Sequence, residues 1–243
     1  MASLRNQTIA VIGGSSGIGF AVASAALAEG AAVLLGSSSE ARVADAVERL
    51  GDGASGRTVD VTDEGSVAAF FDGAPDLDHL VFTAGDWGDS RAPQIVAELD
   101  LNAAAGVFGV RFWGAVRAIK HASARLRADG SVIVTNGSIA HRPRRGAAIS
   151  SAMAGAIEHL VRALAVDLAP LRVNCICPGY VVTEAWDAMP TADREAFLAR
   201  ATERQPLPRA ADPAEIAEAY LYLMRGTYST GQVLIADGGM TLV

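Results

Sequence analysis

Short apolar runs alternate along the chain with stretches whose apolar positions recur at helical spacing. "TIAVIG" leads into a helical pattern over 17–29, and "AAVLLG" into one over 40–50. "RTVDV", "HLVFTAG", "SVIVTN", "RVNCICPG" and "QVLIADGG" supply five further runs. Such brief, nearly continuous apolar segments predict strands buried on both faces, as in a parallel sheet. Helices between consecutive strands imply right-handed crossovers. The expected fold class is therefore α/β, a Rossmann-type doubly wound parallel sheet of about seven strands with helices on both faces. No repeat, linker or low-complexity tract divides the chain, so 1–243 reads as one domain. The longest strandless stretch, 184–213, is rich in proline and charge and reads as a mobile flap over a pocket.

Composition narrows the partners. Hydrophobic content of 51% with 19% charged residues fits a packed globule. A net charge of −7 without a basic run argues against nucleic acid and anionic membranes. No apolar run is expected to reach the roughly 18 residues of a membrane span. The N-terminus enters a strand pattern directly, with no signal peptide, which points to the cytoplasm. Cys175 and Cys177 lie two apart on a strand, too close for a disulfide. No Cys or His spacing suggests a metal, and both read as buried thiols.

The first chemistry appears in "VIGGSSGIGFAVASAALAEG". Gly13, Gly17 and Gly19 follow a strand and open a helix. Such glycines let the backbone turn tightly and approach a pyrophosphate, whose charge the helix N-terminus stabilises. Ser15, Ser16 and Ile18 complete the loop. The second strand then selects the dinucleotide. A carboxylate at its end would bind the ribose hydroxyls and repel a 2′-phosphate. Here Gly36 and Ser37 stand at that end, Ser38 and Ser39 add hydroxyls, and Arg42 follows within a turn. The pattern favours NADP(H) over NAD(H). The serines also suit a helix cap, and the two roles are compatible.

At this point the chain resembles the short-chain dehydrogenase/reductase family, over essentially its full length. The glycine spacing matches that family. "VDVTD" is similar to its adenine contact, which implies Asp60 and the backbone of Val61. "FTAG" stands where the family has N-N-A-G, which implies cofactor contacts from Thr83, Ala84 and Gly85. "SVIVTNGS" resembles the strand ending in the catalytic serine, here Ser138. "LRVNCICPGYVVT" resembles the strand leading to P-G-x-x-x-T, so Pro178, Gly179, Val181 and Thr183 are implied to hold the nicotinamide carboxamide. The resemblance also implies a homodimer or homotetramer acting on a small molecule.

That family's chemistry uses a tyrosine as proton donor, a lysine four residues later, the serine, and an asparagine on the preceding long helix. Counting from Ser138, the tyrosine and lysine positions hold Ser151 and Gly155. The chain's single lysine is Lys120, so no shifted register restores the pair. Arg111 aligns best with the asparagine, ahead of Asn102. A serine hydroxyl such as that of Ser151 is too weak an acid to replace an activated tyrosine. Arg111 can stabilise an oxyanion or bind a carboxylate, or simply pair with a neighbouring helix. His141, three residues past Ser138, can serve as general acid or be a solvated loop residue. Arg142, Arg144 and Arg145 attract an anionic substrate or form a solvated run. His159, Tyr220 and Tyr222 read as packing or interface residues, while Asp86 and Trp87 could line the pocket mouth.

Three functions remain open. The leading one is an atypical NADP(H)-dependent oxidoreductase acting on a C=N, C=C or activated C=O group. The others are a catalytically inactive nucleotide-binding sensor or structural protein, and a non-redox enzyme such as a cyclase using the same cavity.

Overall fold

The computed structural model describes residues 3–85 and 95–243. Seven parallel strands form one sheet: β1 (Thr8–Ile12), β2 (Ala32–Ser37), β3 (Ala54–Thr58), β4 (Leu77–Phe82), β5 (Leu126–Thr135), β6 (Arg172–Pro178) and β7 (Val233–Ala236). Their order is β3-β2-β1-β4-β5-β6-β7. The chain winds outward one way from β1 to β3, then crosses back to β4, so a crevice opens between the C-terminal ends of β1 and β4. The doubly wound α/β sheet anticipated from the sequence is the observed fold.

Helices cover both faces. On one lie α1 (Gly17–Ala28), α2 (Glu40–Leu50) and α8 (Pro213–Arg225), burying Val22, Ala26, Ala46, Ile216 and Leu221 against Val11, Leu35 and Ile133. On the other lie α3 (Glu64–Phe71), α5 (Ala115–Ala122) and α6 (Ala148–Asp167), burying Phe70, Ile119, Met153, Ile157 and Val161 against Leu80, Val132 and Cys175. Local sequence sets the helix starts. Asp212 and Glu215 form a capping box around Pro213 at the first turn of α8, and Ser39 accepts from the Arg42 N–H to cap α2. Cys175 and Cys177 are both buried and unbonded, as expected.

Two expectations need correction. The third strand spans 54–58 rather than 57–61. It is an edge strand with little burial, and Val59 and Val61, whose apolar character suggested a strand, instead pack beyond it against Val67 and Phe70. Second, α6 is 20 residues long with a mean hydropathy of 1.3, enough by length and composition alone to cross a membrane. Its apolar stripe of Met153, Ala154, Ile157 and Val161 lies on the sheet, which accounts for that composition. The 184–213 segment holds a 3-10 turn (Glu184–Trp186) and α7 (Thr191–Thr202). The Trp186 and Phe197 rings pack 5.6 Å apart, with Tyr180 against both.

One buried polar group ties β4 to its neighbours. His79 Nε2 donates to Gln7 Oε1 at 3.1 Å, and Nδ1 accepts from Ser131 Oγ at 2.8 Å. Burial, reinforced by the charge of Arg172, pushes the imidazole pKa down to about 3. The folded state therefore refuses a proton that the unfolded chain accepts below its ordinary value near 6.5. Above that value His79 contributes no pH dependence; from there down to about 3, stability falls with pH. The full window corresponds to up to about 5 kcal/mol. His79→Gln should flatten this slope in urea-unfolding free energies measured between neutral and acid pH. An unchanged slope would show that His79 is not the group responsible.

Candidate active site

The loop after β1 is built for close approach. Gly13 has φ +88°, and a Cβ there would lie 2.5 Å from the Ala84 N and 2.7 Å from Thr83 Oγ1. A Cβ on Gly19 would collide with the Gly13 carbonyl and Thr83 Oγ1. Glycine is thus required twice, and the Thr83–Gly85 segment after β4 forms one wall of the crevice. Ser16 is the N-cap of α1, Ile18 packs inward, and Ser15 Oγ donates to Ser37 Oγ at 2.9 Å, bridging the first and second strand ends.

The N-terminus of α1 already binds an anion. The Gly17 N–H donates to Glu184 Oε2 at 2.8 Å. A Cβ on Gly17 would touch Thr183 Cγ2 at 3.1 Å. The carboxylate occupies the kind of position a phosphate takes at a helix N-terminus, so the chemistry of this cradle fits a pyrophosphate. Behind it, Pro178 ends β6, Gly179 passes so near Asp237 that a Cβ would lie 2.8 Å from its Cα, and buried Val181 pairs with Ala211.

At the end of β2 the capping role anticipated for the serines is observed. Ser39 caps α2, while Arg42 Nη2 donates to Ser38 Oγ at 3.4 Å, leaving a hydroxyl and guanidinium cluster beside the end of β2. Asp60 is exposed, and hydrogen bonds from the Thr62 hydroxyl and then its N–H hold its carboxyl below the usual range. The Val61 carbonyl accepts from Arg117.

Around the expected chemistry, Arg111 lies in a π-helical turn (Gly109–Gly114) leading into α5. Such turns re-aim side chains and recur at functional sites. Its guanidinium covers Gly85, where a Cβ would lie 2.8 Å from Nε, which brings it to the crevice wall. Asn102 is exposed in the first turn of α4 (Leu101–Gly106). Ser138 starts a 3-10 turn after β5, and its buried Oγ lies 3.9 Å from Met240 Sδ. Ser151 Oγ is buried without a hydrogen-bond partner. Gly155 has open space where a Cβ would be. Lys120 pairs with Glu64 on α3, away from α6.

His141 turns inward: its Nε2 lies 2.7 Å from Glu158 Oε1. Glu158 is buried on α6 and also accepts from Asn136 Nδ2 at 3.2 Å. Cys177 stands close by, its thiol pushed up to about 12 by burial and by the charges of Glu158 and Asp237. Sequence reasoning missed Glu158, although it shares the stripe of Ala154, Ile157 and Val161 at helical spacing, where a carboxylate is out of place. Arg142 donates to the Met240 carbonyl and Arg144 to the Tyr180 hydroxyl, so these two are tied into the site's rim. Tyr220 is fully buried and hydrogen-bonded to Thr135, whereas Tyr222 is exposed. Asp86 and Trp87 lie outside the described residues.

Comparison with known proteins agrees with this architecture. Residues 12–241 match the family model described as enoyl-(acyl carrier protein) reductase. The short-chain dehydrogenase/reductase ucsE of an Acremonium species is 37% identical, over 97% of this chain and 96% of its own. The solved structure of the MalC reductase/Diels-Alderase from Malbranchea aurantiaca superposes with a TM-score of 0.91 at 31% identity, covering 99% of this chain and 98% of that one. The NADPH-bound structure of a Pseudomonas aeruginosa short-chain oxidoreductase containing an atypical catalytic center has a TM-score of 0.88 at 29% identity, covering 96% of each chain. With its glycine cradle, its strand order and these likenesses together, the chain belongs to the short-chain dehydrogenase/reductase family.

Proposed function

We propose that the protein is an NADP(H)-dependent oxidoreductase that moves hydride to or from a small C=N, C=C or activated C=O group without a tyrosine–lysine pair. The observation that carries this reading is the close-packed glycine cradle; beside it, the resemblance puts Ser151 and Gly155 of α6 at the positions of the family's proton donor and ribose clamp. When bound, the dinucleotide supplies or accepts the hydride. Gly13, Gly17 and Gly19 hold its phosphates at α1, Asp60 and Val61 its adenine, and Thr183 with the β6 end its carboxamide. Ser37, Ser38 and Arg42 recognise the 2′-phosphate. The NADPH-bound likeness from Pseudomonas aeruginosa supports the choice of cofactor.

The side chains divide the remaining work. Ser138 orients the reacting group by hydrogen bonding. Arg111 stabilises negative charge that develops there, because a guanidinium donates hydrogen bonds while staying protonated. His141 is the proton donor in this reading, oriented by Glu158. Substrates with their own electrophilic push suit such a site: an iminium gains no negative charge on receiving hydride. Ordinary ketones depend fully on His141 for the roughly 10²–10⁴-fold that a general acid contributes, whereas an iminium does not. The same reading has the protein working in the cytoplasm as a homodimer or homotetramer. A second reading, a non-redox cyclisation with the dinucleotide as a wall of the cavity, is favoured by the likeness to a reductase/Diels-Alderase.

Fluorescence titration should show NADPH binding more tightly than NADH. Arg42→Ala should weaken NADPH roughly 10–100-fold, the value of one charge-assisted contact, with NADH little changed. Equal affinities, or an indifferent variant, would refute the cofactor assignment.

NADPH oxidation should be measured against panels of ketones, imines and activated alkenes. Turnover is expected for imines or activated alkenes, with kcat/KM lowered roughly 10²–10³-fold in Arg111→Ala. Tight NADPH binding with no turnover of any class would exclude the reductase and leave the non-redox reading.

A further inference from the structure

His141, Glu158 and Cys177 come from three different elements and converge. His141 follows the Ser138 turn, Glu158 lies midway along α6, and Cys177 belongs to β6. One ligand atom from each, an imidazole nitrogen, a carboxylate oxygen and the thiol sulfur, lie within 4.8 Å of one another. Three atoms so spaced always leave a point within about 2.8 Å of all of them, close to the roughly 2.0–2.3 Å of zinc–ligand bonds. We propose that these three side chains form a binding site for a zinc-like divalent cation that fastens the Ser138 turn to α6 and β6.

The donor set selects the ion. Sulfur, imidazole nitrogen and a single carboxylate suit zinc, whereas calcium and magnesium demand several oxygens. The surroundings contain further polar atoms in need of partners. Glu158 is a carboxylate with only 9% of its side chain exposed, and a charge so buried calls for a cation. Asn136, whose amide nitrogen donates to Glu158 and to the Ala154 carbonyl, has a buried Oδ1 with no hydrogen-bond partner among the described residues. Arg162 approaches Glu158 Oε2 at 3.8 Å but is half exposed, so it neutralises the carboxylate only from outside. His141 Nε2 and Glu158 Oε1 stand at hydrogen-bond distance, and joint ligation would separate them to about 3.3 Å, the edge of a tetrahedral site. Three protein ligands leave a fourth position for water. With Nε2 bound to an ion, His141 has no proton to give from that nitrogen, so a loaded site excludes the proton-donor role given to His141 above while leaving the cofactor cradle untouched.

The full-length protein, first treated with a chelator, should be titrated with cobalt(II) as a spectroscopic stand-in for zinc. One equivalent should bind, with a thiolate-to-cobalt charge-transfer band and visible bands of tetrahedral cobalt, all removed by added zinc. Cys177→Ser should abolish the charge-transfer band. His141→Ala, on the accessible side, should weaken binding at least tenfold, and Arg162→Gln should strengthen it. Zinc should raise the thermal midpoint of the wild type but not of His141→Ala, which keeps the test open if the serine variant folds poorly. The absence of a band at stoichiometric concentration, or a band that survives both variants, would overturn the proposal.

Discussion

The approach of the β1–α1 loop to the segment after β4 governs the rest of this molecule. Gly13 and Gly19 lie so near Thr83 and Ala84 that no side chain fits at either position. This contact sits at the point where the winding of the sheet reverses. It closes the floor of the crevice and aims the N-terminus of α1 across it. Buried strands on both sides hold the two segments at this separation, so the cradle is rigid before any ligand arrives.

On that frame the groups expected to act come from elements with different constraints. Ser138 is fixed by the end of β5, a strand buried in the middle of the sheet. Arg111 instead sits in a π-helical turn, where one extra residue per turn rotates the side chain toward Gly85. The α6 positions Ser151 and Gly155 contribute little volume, so the site under the proposed reading is roomier than one holding a tyrosine and a lysine. Size and polarity of the cavity, more than acid strength, then decide what reacts.

Much of this was legible in the sequence because it depends on local rules. Apolar runs and turn glycines located seven strands; the exposed edge strand β3 was displaced, since its burial is supplied by residues just past it, and β5 begins five residues before its apolar run, at Leu126. The glycine loop was read from its spacing, and Arg111 from alignment with the asparagine position of the family the chain resembles. The network of His141, Glu158, Asn136 and Cys177 was not, because its members are far apart in the chain and meet only through the packing of α6 on β6. Glu158 left a trace as an acid within an apolar stripe, but periodicity cannot say what a misplaced carboxylate faces. The length of α6 was likewise missed: its charged residues interrupt the apolar run in sequence but not the helix.

The hydrogen bond between the Gly17 N–H and Glu184 has a consequence for how the crevice fills. One N–H serves one acceptor at full strength, so a phosphate reaching it replaces a carboxylate instead of entering empty space. Loading is an exchange of anions in which the charge at the helix terminus changes little. That carboxylate belongs to the Glu184–Trp186 turn, so under the proposed reading a phosphate taking the Gly17 N–H would remove this one hydrogen bond between the turn and α1. The grip on one ligand and the hold on that turn are thereby written into a single donor.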